Sequence, residues 1–169
     1  MSTASIIYDL GQHGWSSFKL TVDDIAVEVG PFAYSTDALG DIVRAALMLA
    51  TSDDQVEISF DGEPREWRLI IDEGWRPELR LRVLSFDDWT APKRPETEGQ
   101  LLMECHVTAD EFARAVQTAA QGVWDTYGAE GYNAAWIGRR GFPLRGLKAL
   151  DTALSCEEPP PKSCVEGLG

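Results

Sequence analysis

Apolar and polar residues alternate over much of the first hundred positions, and that period predicts strands. In WSSFKLTVDDIAVEVG, Phe18, Leu20 and Val22 alternate with polar neighbours, Asp23-Asp24 supplies a turn, and Ile25, Val27 and Val29 alternate again. This is the pattern of a β-hairpin. Beyond Pro31 the period becomes helical: Leu39, Ile42, Val43, Ala46, Leu49 and Ala50 fall on one stripe, with Ser35 or Thr36 as N-cap. Gly40 weakens that helix by about 1 kcal/mol relative to Ala, which points to close packing against a sheet.

Three alternating runs follow. QVEISF aligns Val56, Ile58 and Phe60; REWRLII aligns Trp67, Leu69 and Ile71; ELRLRVLSF aligns Leu79, Leu81 and Val83. Asp61-Gly62 is a strong turn signal. The polar faces carry Glu57, Glu66, Arg68, Arg80 and Arg82, charges suited to cross-strand pairing. A long loop, DDWTAPKRPETEG, leads to QLLMECHV, where Leu101, Met103, Cys105 and Val107 share a face.

Thr108-Ala-Asp-Glu111 then forms a capping box. The helix behind it buries Phe112, Val116, Ala119, Ala120, Val123, Trp124 and Tyr127, and Gly128 is its expected end. Pro143 suits the first turn of a last helix that aligns Leu144, Leu147, Leu150 and Leu154. The tail from Cys156 is polar and rich in proline, and reads as disordered. The order is therefore ββαββββαα. It predicts an α+β fold: one mainly antiparallel sheet of about six strands, with helices packed on one face. Residues 1–155 form a single domain and 156–169 the disordered tail.

The chain has 169 residues, enough for one domain with a sizeable core. No apolar run approaches the ~20 residues of a membrane span, and MSTASIIYDLGQHGW lacks the basic and apolar regions of a signal peptide. Three cysteines, two of them in the polar tail, make no disulfide framework, so the expected compartment is the cytoplasm.

Charge changes the picture more. The formal net charge is −13, and residues 1–64 hold eleven acids against Lys19 and Arg44. Such a field repels nucleic acid and attracts a basic protein, although it also serves solubility. The candidate contact residues are Asp23 and Asp24, beside Glu28 on the first hairpin, and Asp53 and Asp54, which with Asp61 and Glu63 flank the third strand. Trp89, in the long loop, is the candidate apolar anchor.

Against this background WIGRRGFPLRGLKAL, residues 136–150, holds Arg139, Arg140, Arg145 and Lys148 and no acid. Two readings stand. Arg139, Arg140 and Arg145 grip an anion at the start of the last helix, or they clamp that helix onto neighbouring carboxylates.

Nothing nominates catalysis. The histidines are only His13 and His106; Glu104 and His106 share a strand face, but no cluster supplies further metal ligands. Cys105 alternates with core residues and so has little reactivity. No nucleophile elbow, phosphate loop or dinucleotide fingerprint is present, and no cofactor is expected.

YGAEGYNAAWIGRRGFPLRGLKAL resembles the C-terminal pattern of small, single-domain bacterial proteins of unknown function, with Tyr127-Gly128, Tyr132, Trp136 and Phe142-Pro143-Leu144 as the recurring marks. The α+β plan and the acidity are also similar to immunity proteins of bacterial toxin systems. The second resemblance implies a non-enzymatic binder of a basic toxin. Neither transfers a catalytic residue. The alternative from a different class is a small-anion-binding domain or enzyme with its pocket near the start of the last helix.

Overall fold

The structure is a computed structural model and describes residues 2–53, 55–74, 77–88, 92–138 and 140–156. A meander of β1 (Ala4–Leu10), β2 (Trp15–Val22) and β3 (Ile25–Ala33) forms a three-stranded antiparallel sheet in that order. Helix α1 (Ala38–Thr51) leads to β4 (Val56–Asp61), β5 (Glu66–Asp72), β6 (Glu78–Phe86) and β7 (Gln100–Thr108), a second antiparallel meander. Helices α2 (Ala109–Trp136) and α3 (Leu144–Ser155) complete the chain. The α+β class holds, and so does the order ββαββββαα once β1 is placed before it.

The strands divide into sheets of three and four rather than forming one of six. The connection explains this: β3 and β4 are joined by α1, so no hairpin forces them to pair. The sheets instead share one core, in which the Phe18 and Phe32 rings each lie 5.2 Å from that of Phe60. Strand β3 crosses the second sheet. Its start lies within reach of β7, where the Asp23 charge acts on Cys105, and its end lies beside the β4–β5 turn, where Gly62 meets the Pro31 carbonyl. Helix α2 packs along β1, α1 against β4, and α3 onto α1 and α2.

Helix ends depart from expectation in two places. The N-cap of α1 is Asp37, whose carbonyl accepts the Asp41 amide at 2.7 Å, and not Ser35 or Thr36. Gly40 is small for the sake of this residue rather than of a sheet, since a Cβ there would strike the Asp37 carboxylate. In α2 the capping box forms as expected, with Thr108 and Glu111 each bonding the other's backbone. Gly128, at φ 61° and ψ −172°, lies outside helical geometry and ends the first helical stretch of α2, as expected, and a second stretch follows directly. Helical turns resume because Tyr132 and Trp136, four residues apart, both reach the core. Ile137, in the left-handed region at φ 61°, caps the end.

The second sheet is covered on its outer face too. Glu66, Arg68 and Ile70 are buried along with Trp67, Leu69 and Ile71, because the β6–β7 connection folds back over them. Arg68, 1% exposed, donates to Glu66 Oε1 through Nε (3.0 Å) and Nη2 (2.8 Å) and to the Arg94 carbonyl (2.9 Å). Its guanidinium lies 4.3 Å from the Phe86 ring centre. Lys93 pairs with Glu57, and Arg82 with Glu96 at 2.6 Å, fixing the same connection further along. Arg80 pairs with Glu104 across the strands, as its position implied. An irregularity between Val83 and Leu84 shifts the register, so Leu101 is exposed while Met103 and Val107 stay inside. No described helix is long and apolar enough to cross a membrane.

Candidate functional site

Two surfaces carry features beyond what folding needs. The first is the outer face of the first sheet. Inward positions Ile6, Leu10, Phe18, Leu20, Val22, Val27 and Val29 go to the core. The opposite positions make a cross-strand row in which Ile7 faces Lys19 and Lys19 faces Glu28. Ile7 is 68% exposed, so no described element covers this row. Beside it Ser17, Gly30 and Pro31 shape a shallow cleft of about 330 Å³ that Ile7, Asp9 and Glu28 also line. Acids dominate: Asp9 and Glu28 on the face and exposed Asp23 and Asp24 at its end, against Lys19 alone.

The second surface is a cleft of about 820 Å³ between the start of α1 and the end of α2. Tyr34, Ser35, Thr36, Asp37, Trp136 and Ile137 line it, with the Asp41–Arg44 pair (2.5 Å) on one wall and Arg140 on the other. Arg140 Nη1 stands 3.7 Å from Asp37 Oδ2. Burial and the nearby Asp41 push the Asp37 carboxyl above the usual carboxylate range, and Arg140 and Arg44 only partly oppose them. Behind Asp37 lie two phenols, Tyr8 and Tyr132, raised by burial first and then by neighbouring charge.

The residues nominated by the sequence are scattered over this geometry. Arg140 lines the cleft, whereas Arg145, on the first turn of α3, is exposed and makes no ion pair with a described residue. Among the described residues, the clamp expected of the basic cluster is therefore reduced to the Arg140–Asp37 pair. Helix α3 is held instead by buried Leu147 and Leu150, by Gly146 against Val43, and by Gln117 donating to Asp151 at 2.7 Å. Asp23 and Asp24 sit at the β2–β3 turn, and Asp23 accepts the Thr3 amide at 2.8 Å. Asp53 follows α1, before β4, while Asp61 ends β4, so those acids flank opposite ends of one strand. Arg139, Asp54, Trp75, Trp89 and the tail from residue 157 lie outside the described residues.

Glu104 is engaged by Arg80, whose hydrogen bonds hold its carboxyl below the usual range, so it is not poised beside His106 as a base. Burial and the charges of Asp23 and Glu104 push the Cys105 thiol up to about 11, which leaves it protonated at neutral pH. Among the described residues no group of three or more His, Cys, Asp or Glu could hold a metal ion.

Sequence reasoning missed Ile7, Tyr8, Asp37 and Tyr132 as site residues. A signal for the first two existed: Ile6, Tyr8 and Leu10 alternate, which marks a strand with Ile7 on the wrong face. Compared with known protein families and with curated proteins, the chain matches none.

Proposed function

We propose that the protein acts by binding a basic protein partner on the open face of its first sheet, as a non-enzymatic inhibitor of the immunity type working in the cytoplasm. A solvated outer face is ordinary for an antiparallel sheet. What favours a docking role here is Ile7, exposed on the edge strand β1 beside a cleft that Asp9 and Glu28 also line. An exposed apolar residue with charges close by supplies an anchor and steering together. The net charge of −13 supports a basic partner.

The test is capture from cells of the source organism at low and at high salt. Ile7→Asp and Glu28→Lys, both on the face, should each lose the partner, while Asp53→Lys, away from it, should keep it. High salt should slow capture by the wild type. A partner that is toxic alone and harmless when the two are co-expressed identifies the immunity role. Equal capture by the face variants and the wild type refutes the reading. The anion site expected from Arg139, Arg140 and Arg145 has less in its favour, because Arg140 faces a carboxylate and Arg145 does not line the cleft.

A further inference from the structure

At the cleft beside α1, polar atoms without partners gather in a way folded proteins seldom tolerate. Thr36 Oγ1, Asp37 Oδ1 and Tyr132 OH are buried with no hydrogen-bond partner among the described residues, and Tyr8 OH and Ser16 Oγ, buried beside them, have at most each other. Four of them form one group: the Asp37 charge acts on both phenols, the two phenols act on each other, and the Ser16 hydroxyl lies beside that of Tyr8. Thr36 is next to Asp37 in the chain and lines the same cleft. Asp37 connects the buried group to the outside, since its other oxygen, Oδ2, faces Arg140 across the cleft.

That ion pair is open. Its 3.7 Å separation exceeds the roughly 2.7–2.9 Å of a charge-assisted hydrogen bond. The Arg140 side chain is 70% exposed and free to swing. Arg44, the other described cation near Asp37, is bound to Asp41. Among the described residues, Asp37 is therefore a half-buried carboxylate that accepts the Gly40 amide but has no close counter-charge, and Arg140 is a guanidinium without a close anion. At the rim, Tyr34 and Ile137 present apolar surface that is 55% and 56% exposed.

We propose that this cleft binds a small zwitterion of the amino-acid type, a free amino acid or a short peptide. Its ammonium group sits against Asp37 and the Thr36 hydroxyl, its carboxylate against Arg140, and its apolar part between Tyr34 and Ile137. A primary ammonium carries three donors and no acceptor, which matches the acceptors at this end. Arginine matches a carboxylate with paired, parallel bonds. The volume of about 820 Å³ falls in the usual range for small-ligand sites, about 300–1,000 Å³. The cleft shares no residue with the open face of the first sheet, so the two proposals stand or fall separately.

The test uses the full chain with L-phenylalanine, L-leucine and the dipeptide Leu-Gly at millimolar concentration, each beside its N-acetyl and its amide derivative. Thermal shift and calorimetry should show binding of at least one free zwitterion, the dipeptide distinguishing peptide from amino acid, and of neither blocked form. Asp37→Asn, shown to be folded by circular dichroism, should abolish binding. Arg140→Ala should weaken it about tenfold or more, and Arg145→Ala should leave it unchanged. The proposal is overturned if none of the three binds, if either blocked form binds as tightly as its parent, or if folded Asp37→Asn binds normally. Should Asp37→Asn fail to fold, Arg140→Glu takes its place, and unchanged affinity in that variant overturns the proposal equally.

Discussion

Glu66→Gln is the substitution whose cost the structure defines best. The carboxylate takes two bonds from Arg68, at 3.0 and 2.8 Å, and one from Ser59 at 3.2 Å. Removing its charge leaves a fully buried guanidinium with the Arg94 carbonyl at 2.9 Å and only one other carboxylate near, Glu57 at 3.8 Å. Breaking a buried pair from one side costs about 3–5 kcal/mol, because the surviving charge stays out of water. Some of this is returned at Asp61, whose carboxyl is raised by burial and then by the Glu66 charge. The net expectation is a loss of about 3 kcal/mol, a large share of the roughly 5–15 kcal/mol that holds a domain folded. Arg68→Met should cost a similar amount by stranding Glu66. The double variant Glu66→Leu/Arg68→Met buries no charge, loses the bonds to Ser59 and the Arg94 carbonyl, and should lie within about 2 kcal/mol of the wild type. Urea unfolding followed by tryptophan fluorescence measures all four chains, and the coupling should exceed about 3 kcal/mol. Two singles costing under about 1 kcal/mol each, with additive effects, would show that water reaches the pair and that the β6–β7 connection does not seal this face.

Thr108→Ala removes the hydroxyl that bonds both the Glu111 amide and its carboxylate, and should cost about 1 kcal/mol in the same urea assay. Burial pushes the Glu111 carboxyl up, but bonds from Ser2 and Thr108 outweigh it and hold it low. Its contribution is therefore present above the ordinary carboxylate pKa and fades as pH falls through that range, and Glu111→Gln should flatten this part of the stability profile. Asp37 has the opposite sign: its raised carboxyl costs stability once ionised, so Asp37→Asn should melt higher than the wild type at neutral pH, with the gain disappearing in acid. Arg145→Ala and Arg140→Ala should each change stability by less than about 1 kcal/mol, since one has no described partner and the other a single exposed pair. A chain ending at Ser155 should melt within a few degrees of the full one, because residues 156–169 carry no periodic apolar face.

The elements were legible where one period ran unbroken. Alternation at Phe18, Leu20 and Val22, and again at Leu79, Leu81 and Val83, placed strands where they occur, and the Thr108–Glu111 box placed the start of α2 to the residue. Errors came where tertiary burial overrode a local signal. Gly128 does end a helical stretch, but the second stretch beyond it, which buries Tyr132 and Trp136, was not announced by the local pattern. Glu66 and Arg68 looked like a solvated face because charge normally means water. What covers them is a connection about 20 to 30 residues further along, and no pattern within β5 announces it. The division into two sheets was equally invisible, since alternation reveals that a strand has an inner face and not which sheet it joins.

The candidate site was less legible than the fold, and for one reason. The sequence draws attention to concentrations of a residue type, such as four bases in fifteen positions or eleven acids in sixty-four. A site is instead made by single residues that folding brings together from distant elements. Asp37 is one acid among those eleven, and its character comes from burial, from Asp41 one turn along α1, and from Arg140 beyond β7 and Arg44, while its own charge acts on Tyr8 and Tyr132. Ile7 is an unremarked member of an apolar triplet until the register of β1 turns it outward against Lys19. Concentration still matters at long range for the proposed partner, because the summed acids favour a basic one whichever residues touch it. The contact itself depends on exposure and shape. A charge reversal far from the first sheet should therefore change how salt affects the rate of association, and Ile7→Asp should change how long the complex lasts. If both substitutions alter only the association rate, the open face steers a partner that docks elsewhere.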